Sequence, residues 1–159
     1  MKHRQLGFSL IELLVVVAII LIIAAIAIPN FLRAKITANE SSAVSSVHAV
    51  DTAEIAYSSM FSNIGYSANL SDLGPGATSP CPGTATASCF IDPTLATGTK
   101  SGFKFTYAQN ASATPAIQFT INADPVTQGI TGQKGFYSDE SNVIRYASPG
   151  PASLSSAPL

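Results

Sequence analysis

The chain has 159 residues, 47% of them hydrophobic, and a formal charge of −1 from eight Lys and Arg against nine Asp and Glu. That length allows one small domain beside any membrane segment. So even a charge balance provides neither the broad basic face of a nucleic-acid binder nor an acidic tail.

The first element is a short basic leader, Met1-Lys2-His3-Arg4-Gln5-Leu6-Gly7, followed by the block FSLIELLVVVAIILIIAAIAI over residues 8–28. From Leu13 to Ile28 no residue is polar, and Glu12 is the only charge in the block. As a helix rising ~1.5 Å per residue the block reaches about 31 Å, the thickness of a bilayer's hydrocarbon core. Being apolar on every side, it needs lipid, or other helices like itself, around it. Lys2 and Arg4 hold the leader in the cytoplasm and send the rest outward. The block exceeds the 7–15 apolar residues of a secretory signal, although its far end, AAIAIPN, has the small residues of a cleavage site. Glu12 argues against a disposable signal, because an acid at mid-bilayer costs about 2.5–3.5 kcal/mol on insertion scales. Two readings of it stay open: it reaches up to the interface from the first helical turn, or it awaits a cation. A cut after Gly7 would create such a cation, the amine of Phe8, four residues away.

Gly7-Phe8-Ser9-Leu10-Ile11-Glu12, set between a basic leader and a membrane-length apolar run, resembles the processing signal of type IV prepilins and of the pseudopilins of type II secretion. Pro29 falls where these families often carry a helix-kinking proline. The resemblance covers roughly residues 1–35. It implies cleavage of the Gly7–Phe8 bond by a prepilin peptidase, methylation of the new Phe8 amine, and subunit registration by Glu12. It also implies an inner-membrane precursor, an assembly platform with its own ATPase, and a homo-oligomeric helical filament as the product.

Pro29 lacks an N–H and disfavours helix at the residue before it, which predicts a kink or local melting around 27–31. The helical pattern then resumes over 29–64. Ala43, Val47, Val50, Glu54, Tyr57, Phe61 and Ile64 recur at spacings of 4 and 3 and share one face, with Glu54 interrupting the stripe. Asn39, Ser42, Ser45, Ser46 and Ser59 fall on the other side. Arg33 and Lys35, just past the apolar block, read as solvated or snorkelling cations. Gly65 is expected to end the helix.

Residues 65–102 read as loop, dense in Gly, Pro and Ser, with one helical turn at Leu70 and Leu73 capped by Asn69 or Ser71. Cys81 and Cys89, the only cysteines, lie on the side placed outside the cytoplasm and are expected to tether this loop as a disulfide. Two cysteines without nearby histidine make a poor zinc set. Strands are expected at 103–107, at 116–122 with Ile117, Phe119 and Ile121 on one face, and at 135–137 and 143–146 flanking a turn at 138–142. The whole is an α+β fold, assigned by resemblance to the type IV pilin fold. Its long N-terminal helix, over 36–64, covers one face of three or four antiparallel strands within 103–147. The Pro/Ser-rich tail 148–159 is expected to be extended or mobile.

No catalytic constellation is present, and no cofactor is implied. There is no G-x-S-x-G elbow, no GxxxxGK[ST] and no GxGxxG. His3 lies in the leader, and His48 lies off the apolar stripe. Asp139, Glu140, Ser141 and Asn142 lack the alternating spacing of a calcium loop and read as a solvated turn. Asn39, Asn69 and Asn110 open N-x-[ST] triplets of little weight in so Ser-rich a chain. A pilin is favoured over a pseudopilin on two grounds. Gly65-Tyr66-Ser67-Ala68-Asn69-Leu70 stands where major pseudopilins carry a Tyr-Pro-Thr-x-x-x-Gly-Leu-like segment, and those proteins usually lack such a disulfide. A periplasmic enzyme or binding protein on a plain anchor leaves Gly7, Glu12 and Pro29 without a joint explanation.

Overall fold

The computed structural model describes residues 8–76, 80–110 and 113–159. The leader 1–7, including Gly7 and His3, lies outside the described residues. The chain divides into two compact units, Met1–Lys35 and Ile36–Leu159. Helix α1, Leu10–Met60, begins in the first and ends in the second.

In the first unit the helix is the only described element. It runs through Pro29 without a break, so the expected local melting at 27–31 is absent. Pro29 still removes one donor, and the Ala25 carbonyl loses its i+4 partner. The surrounding Ile and Ala residues carry the helix across that gap.

In the second unit the exposed hydroxyls of α1 fold back onto the preceding turn: Ser41 Oγ donates to Thr37 O at 2.9 Å and Ser45 Oγ to Ser41 O at 3.0 Å. This lets a Ser-rich face remain helical. The buried face is Ala43, Val47, Val50, Ala53 and Tyr57, with Phe61 and Ile64 half-buried. Ser46 departs from the expected polar side and is buried. α1 ends at Met60, five residues before Gly65. Bonds from Phe61 N to Tyr57 O and from Gly65 N to Phe61 O continue the turning as far as Gly65. There φ is +85°, and a Cβ would collide with the Ala116 backbone, so only glycine fits.

The sheet is larger than the expected three or four strands. Six run in the order β1 (Thr99–Lys100), β2 (Phe103–Gln109), β3 (Phe119–Pro125), β4 (Gly135–Asp139), β5 (Arg145–Ala147) and β6 (Ala157–Pro158), every neighbour antiparallel. Phe103, Phe105, Phe119, Ile121, Ala123 and Phe136 meet the helix stripe in one core, completed by Leu70, Leu73, Ile91 and Leu95 from the long loop. The α+β class holds. Ile117 does not belong to the buried face: β3 starts at Phe119, and Ile117 is 65% exposed. Ala116 bridges to Gly65 instead, which keeps residues 116–118 off the ladder. The loop over 65–102 contains the 3-10 turn Leu70–Leu73, with Asn69 as N-cap, and an unforeseen short helix α2, Pro93–Ala96, capped by Asp92 Oδ1 accepting from Leu95 N at 2.9 Å.

The tail is ordered. Asn122 Nδ2 donates to Ala152 O at 2.8 Å, Ala152 is buried, and Arg145 Nη1 donates to Ser156 O at 3.1 Å. The segment therefore crosses the outer face of β3 and β4, and every residue of β4 is buried. Strands β1 and β6 both lie outside the span 103–147 read as sheet.

Candidate functional site

The sequence places its functional residues in the first unit, where the large apolar side chains of the described helix are exposed. Phe8 is 76% and Leu10 80% exposed, and Leu13, Leu14, Ile20, Ile22, Ile26 and Ile28 are all exposed. Glu12 sits in the first turn of α1, where the Leu13 amide donates to Ser9 O at 3.2 Å. An acid is favourable there because the first-turn N–H groups carry partial positive charge. The helix is long and apolar enough to cross a membrane. Apolar residues exposed all round a helix of this length call for cover by lipid or by further helices. Phe8 and Glu12 are thus placed one turn apart at the start of an unpartnered apolar helix, and Pro29 within it. The Gly7 side of the proposed cut lies outside the described residues.

The second unit contains the other singled-out groups. Cys81 and Cys89 form a disulfide, with Cα atoms 6.4 Å apart. The loop it closes is fixed to α1 by Tyr57 OH donating to Ala85 O at 2.8 Å. Breaking it with Cys81→Ser and Cys89→Ser is expected to cost about 2–3 kcal/mol, the entropy of closing so short a loop. Denaturant titration of the full chain in detergent, with and without reductant, checks this; reductant leaves the variant unchanged and lowers the wild type to match it. His48 is exposed, with Nδ1 3.3 Å from Thr52 Oγ1. The turn after β4 is an internally bonded one: Asp139 accepts from Ser141 N at 2.9 Å and Ser141 Oγ at 2.5 Å. Burial pushes the Asp139 carboxyl up, and the Ser141 and Tyr137 bonds outweigh it, leaving it below its usual range. No group of three His, Cys, Asp or Glu among the described residues has a metal-holding arrangement. Asn39 Nδ2 is spent on Thr131 O at 2.9 Å.

Three buried acids were not legible as such: Asp139, read as part of a solvated turn, is 5% exposed, and two more lie on α1. Glu54, the interruption in the apolar stripe, is fully buried and accepts from Ser67 N at 3.0 Å and Ser67 Oγ at 2.5 Å. Burial raises its pKa against those bonds. Asp51 is 4% exposed; its Oδ2 accepts from Ser138 Oγ at 2.7 Å, while Oδ1 has no partner. Burial pushes the Asp51 carboxyl up to about 6, opposed by the Ser138 bond and His48. The signal for Asp51 was its place four residues after Val47, on the stripe's flank.

A raised carboxyl favours the protonated fold, so its contribution is full below the unfolded value of 3.8 and is lost as pH rises through about 6. A rise from 3.8 to about 6 corresponds to about 3 kcal/mol. Asp51→Asn is expected to abolish that decline. Denaturation midpoints of wild type and variant at pH 4, 5, 6 and 7 check it, through a difference between the two proteins that grows with pH.

Comparison with known proteins meets the same N-terminal stretch. Residues 2–28 match the family model described as the prokaryotic N-terminal methylation motif. The chain carries a prepilin-type motif. Among curated proteins, the chain is 51% identical over 51 residues, 32% of this chain and 23% of the relative, to the type IV major pilin protein PilA of Myxococcus xanthus (strain DK1622). A second relative, the type II secretion system core protein G of Aeromonas hydrophila, is 40% identical over 52 residues, 33% of this chain and 36% of that protein. The matches thus span well under half the length of either relative. No solved structure matches the chain. The motif and the apolar helix behind it fit insertion into a membrane.

Proposed function

We propose that this chain is a structural subunit of a type IV pilus, which polymerises into a cell-surface filament after a prepilin peptidase has removed residues 1–7. The observation that carries the reading is the prepilin motif joined directly to a helix with no apolar partner of its own. Phe8–Glu12 is the processing and registration point. The precursor is held in the inner membrane by residues 8–28. Cleavage frees the Phe8 amine, which is then methylated, and the helix leaves lipid for a bundle of identical helices. That transfer changes apolar exposure little, so polar pairing and close packing decide the register. No nucleotide site is read in the sequence, so the energy of extraction comes from the ATPase of the assembly platform. The chain's role is architectural and not enzymatic, and the disulfide and the six-stranded sheet give the outer surface a rigid body.

The second reading is a pseudopilin of a type II secretion system, favoured by the similarity to the Aeromonas core protein. The two share the motif and the helix and separate at the destination. Mechanical shearing of cells, followed by mass spectrometry of the released fibres, tests both. The pilus reading expects this chain in long surface fibres, beginning at a methylated Phe8. A mature chain confined to the periplasm supports the pseudopilus, and a chain that keeps residues 1–7 as a membrane-tethered monomer overturns both.

A further inference from the structure

A cavity of about 210 Å³ opens beside α1, lined by His48, Asp51, Thr52, Ile55 and Asn142. Asp51 is one of its lining residues, and the carboxylate behind that surface is buried, with Oδ1 unpartnered. Its charged neighbours do little to neutralise it. Glu54 on α1 and Asp139 on β4 are further acids, and His48 one turn earlier is the basic group that faces it. The one ion pair between described residues, Lys100 with Asp92 at 2.8 Å, lies elsewhere. A buried carboxylate without a countercharge is costly, and an adjoining cavity is where a cation from outside would relieve it.

The same unit has one cation to spare. Lys100 is held by Asp92, Lys134 lies 5.4 Å over the Tyr146 ring, and Arg145 donates to Ser156 O. Lys104 alone among the described cations of this unit has no partner. It alternates with the buried Phe103 and Phe105 and therefore stands on the outer face of β2, exposed. Asp124 opposes it across the ladder but turns its Oδ1 over Gly135, toward β4. Lys104 on the outer face cannot reach Asp51, which is bonded to Ser138 on the helix side of β4, within one chain.

We propose that the His48–Asp51–Asn142 cavity receives the Lys104 ammonium of a second copy of this chain. The inference rests on the filament reading above. An ammonium brings three donors for the carboxylate and for the Thr52 and Asn142 oxygens, and Ile55 offers apolar surface to the methylene stem. Donor and acceptor occupy different surfaces of the subunit, so each copy can give its Lys104 to the next while receiving one from the copy before, which is the head-to-tail contact the filament reading requires.

A charge exchange in the full chain tests it, because Lys104 and Thr52 are both exposed and neither change disturbs the core. Lys104→Glu should reduce sheared fibres at least tenfold, and Lys104→Gln, which sets no second acid opposite Asp124, should do so with the melting temperature unchanged. Thr52→Lys, which fills the cavity from its own chain and gives Asp51 a countercharge, should reduce fibres as far, with the melting temperature no lower than wild type. The double variant, which exchanges the charges, should restore at least half of the wild-type yield. Normal fibres from Lys104→Glu, or a double variant no better than the singles, overturns the contact and leaves the filament reading intact. Wild-type fibres that dissolve in EDTA while Lys104→Glu fibres persist put a divalent ion in the cavity and also overturn it. An absence of fibres from the wild type removes the filament reading itself.

Discussion

Glu54→Ala is expected to destabilise the soluble unit by about 3–5 kcal/mol. Two costs add. The substitution leaves a void at a position with no solvent access, among Tyr57, Ser67 and Tyr107. It also strips the Ser67 amide of its acceptor and leaves the Ser67 hydroxyl only Asn69 O, at 3.2 Å. Domains of this size are stable by about 5–15 kcal/mol in all, so the loss is a fifth or more of the total. The melting temperature of the full chain in detergent should fall by roughly 10–20 °C. Glu54→Gln keeps one oxygen for the Ser67 amide and should lose about 1–2 kcal/mol at neutral pH, where it also escapes the penalty of a buried charge. At pH 4, with the native carboxyl protonated, the gap between wild type and Gln should widen. Glu54 raises the protonated state of the fold just as Asp51 does, so its contribution fades as pH climbs above the unfolded value of 4.5. A drop under 1 kcal/mol for Glu54→Ala would show that the loop at Ser67 re-bonds without it.

Glu54 also marks where the sequence stops being readable. The 4-and-3 spacing from Ala43 to Ile64 located the buried face of α1, because burial of a helix flank leaves a periodic trace. That trace records which positions face inward and not what meets them, so a glutamate bonded to Ser67, thirteen residues on, looked like an interruption. The aromatic alternation at Phe103–Phe105 and the Phe119–Ile121 pair were legible for the same reason, since one face of a strand lies on the core. Ile117 has the same parity and fell outside, because Ala116 is claimed by Gly65 before the ladder begins. Two-residue strands such as β1 and β6 are too short to leave any period. Their pairing comes from neighbours already in place, and the Pro/Ser composition of the tail conceals that its backbone carbonyls serve Asn122 and Arg145. In the first unit the methylation motif and the membrane-length apolar helix were legible, since each depends on consecutive residues. A cleavage signal, an acid one turn later and an apolar run need no tertiary partner to be recognised.

On the filament reading, Glu12→Ala should leave processing intact and abolish assembly. Cleavage acts at Gly7–Phe8, five residues before the acid, and mass spectrometry of the variant should find the mature, methylated Phe8 terminus. Assembly differs because every added subunit brings a new positive amine into an apolar bundle. With Glu12 present in a neighbouring copy, that charge meets an opposite one at the same depth. Without it, an uncompensated cation remains in a medium where a single charge costs about 2.5–3.5 kcal/mol on insertion scales. Losing even about 2 kcal/mol of that pairing per subunit raises the membrane concentration needed for growth roughly 30-fold. Sheared fibres should then fall below detection while the mature subunit accumulates in the membrane. Glu12→Gln preserves shape and hydrogen bonding but not charge, so it separates neutralisation from packing. It should fail nearly as completely as Glu12→Ala. Fibres at wild-type yield from Glu12→Gln would mean that the acid acts by shape or hydrogen bonding, and the amine would then need another counter-ion. Fibres at wild-type yield from both variants would move the register-setting contact away from the N-terminus altogether.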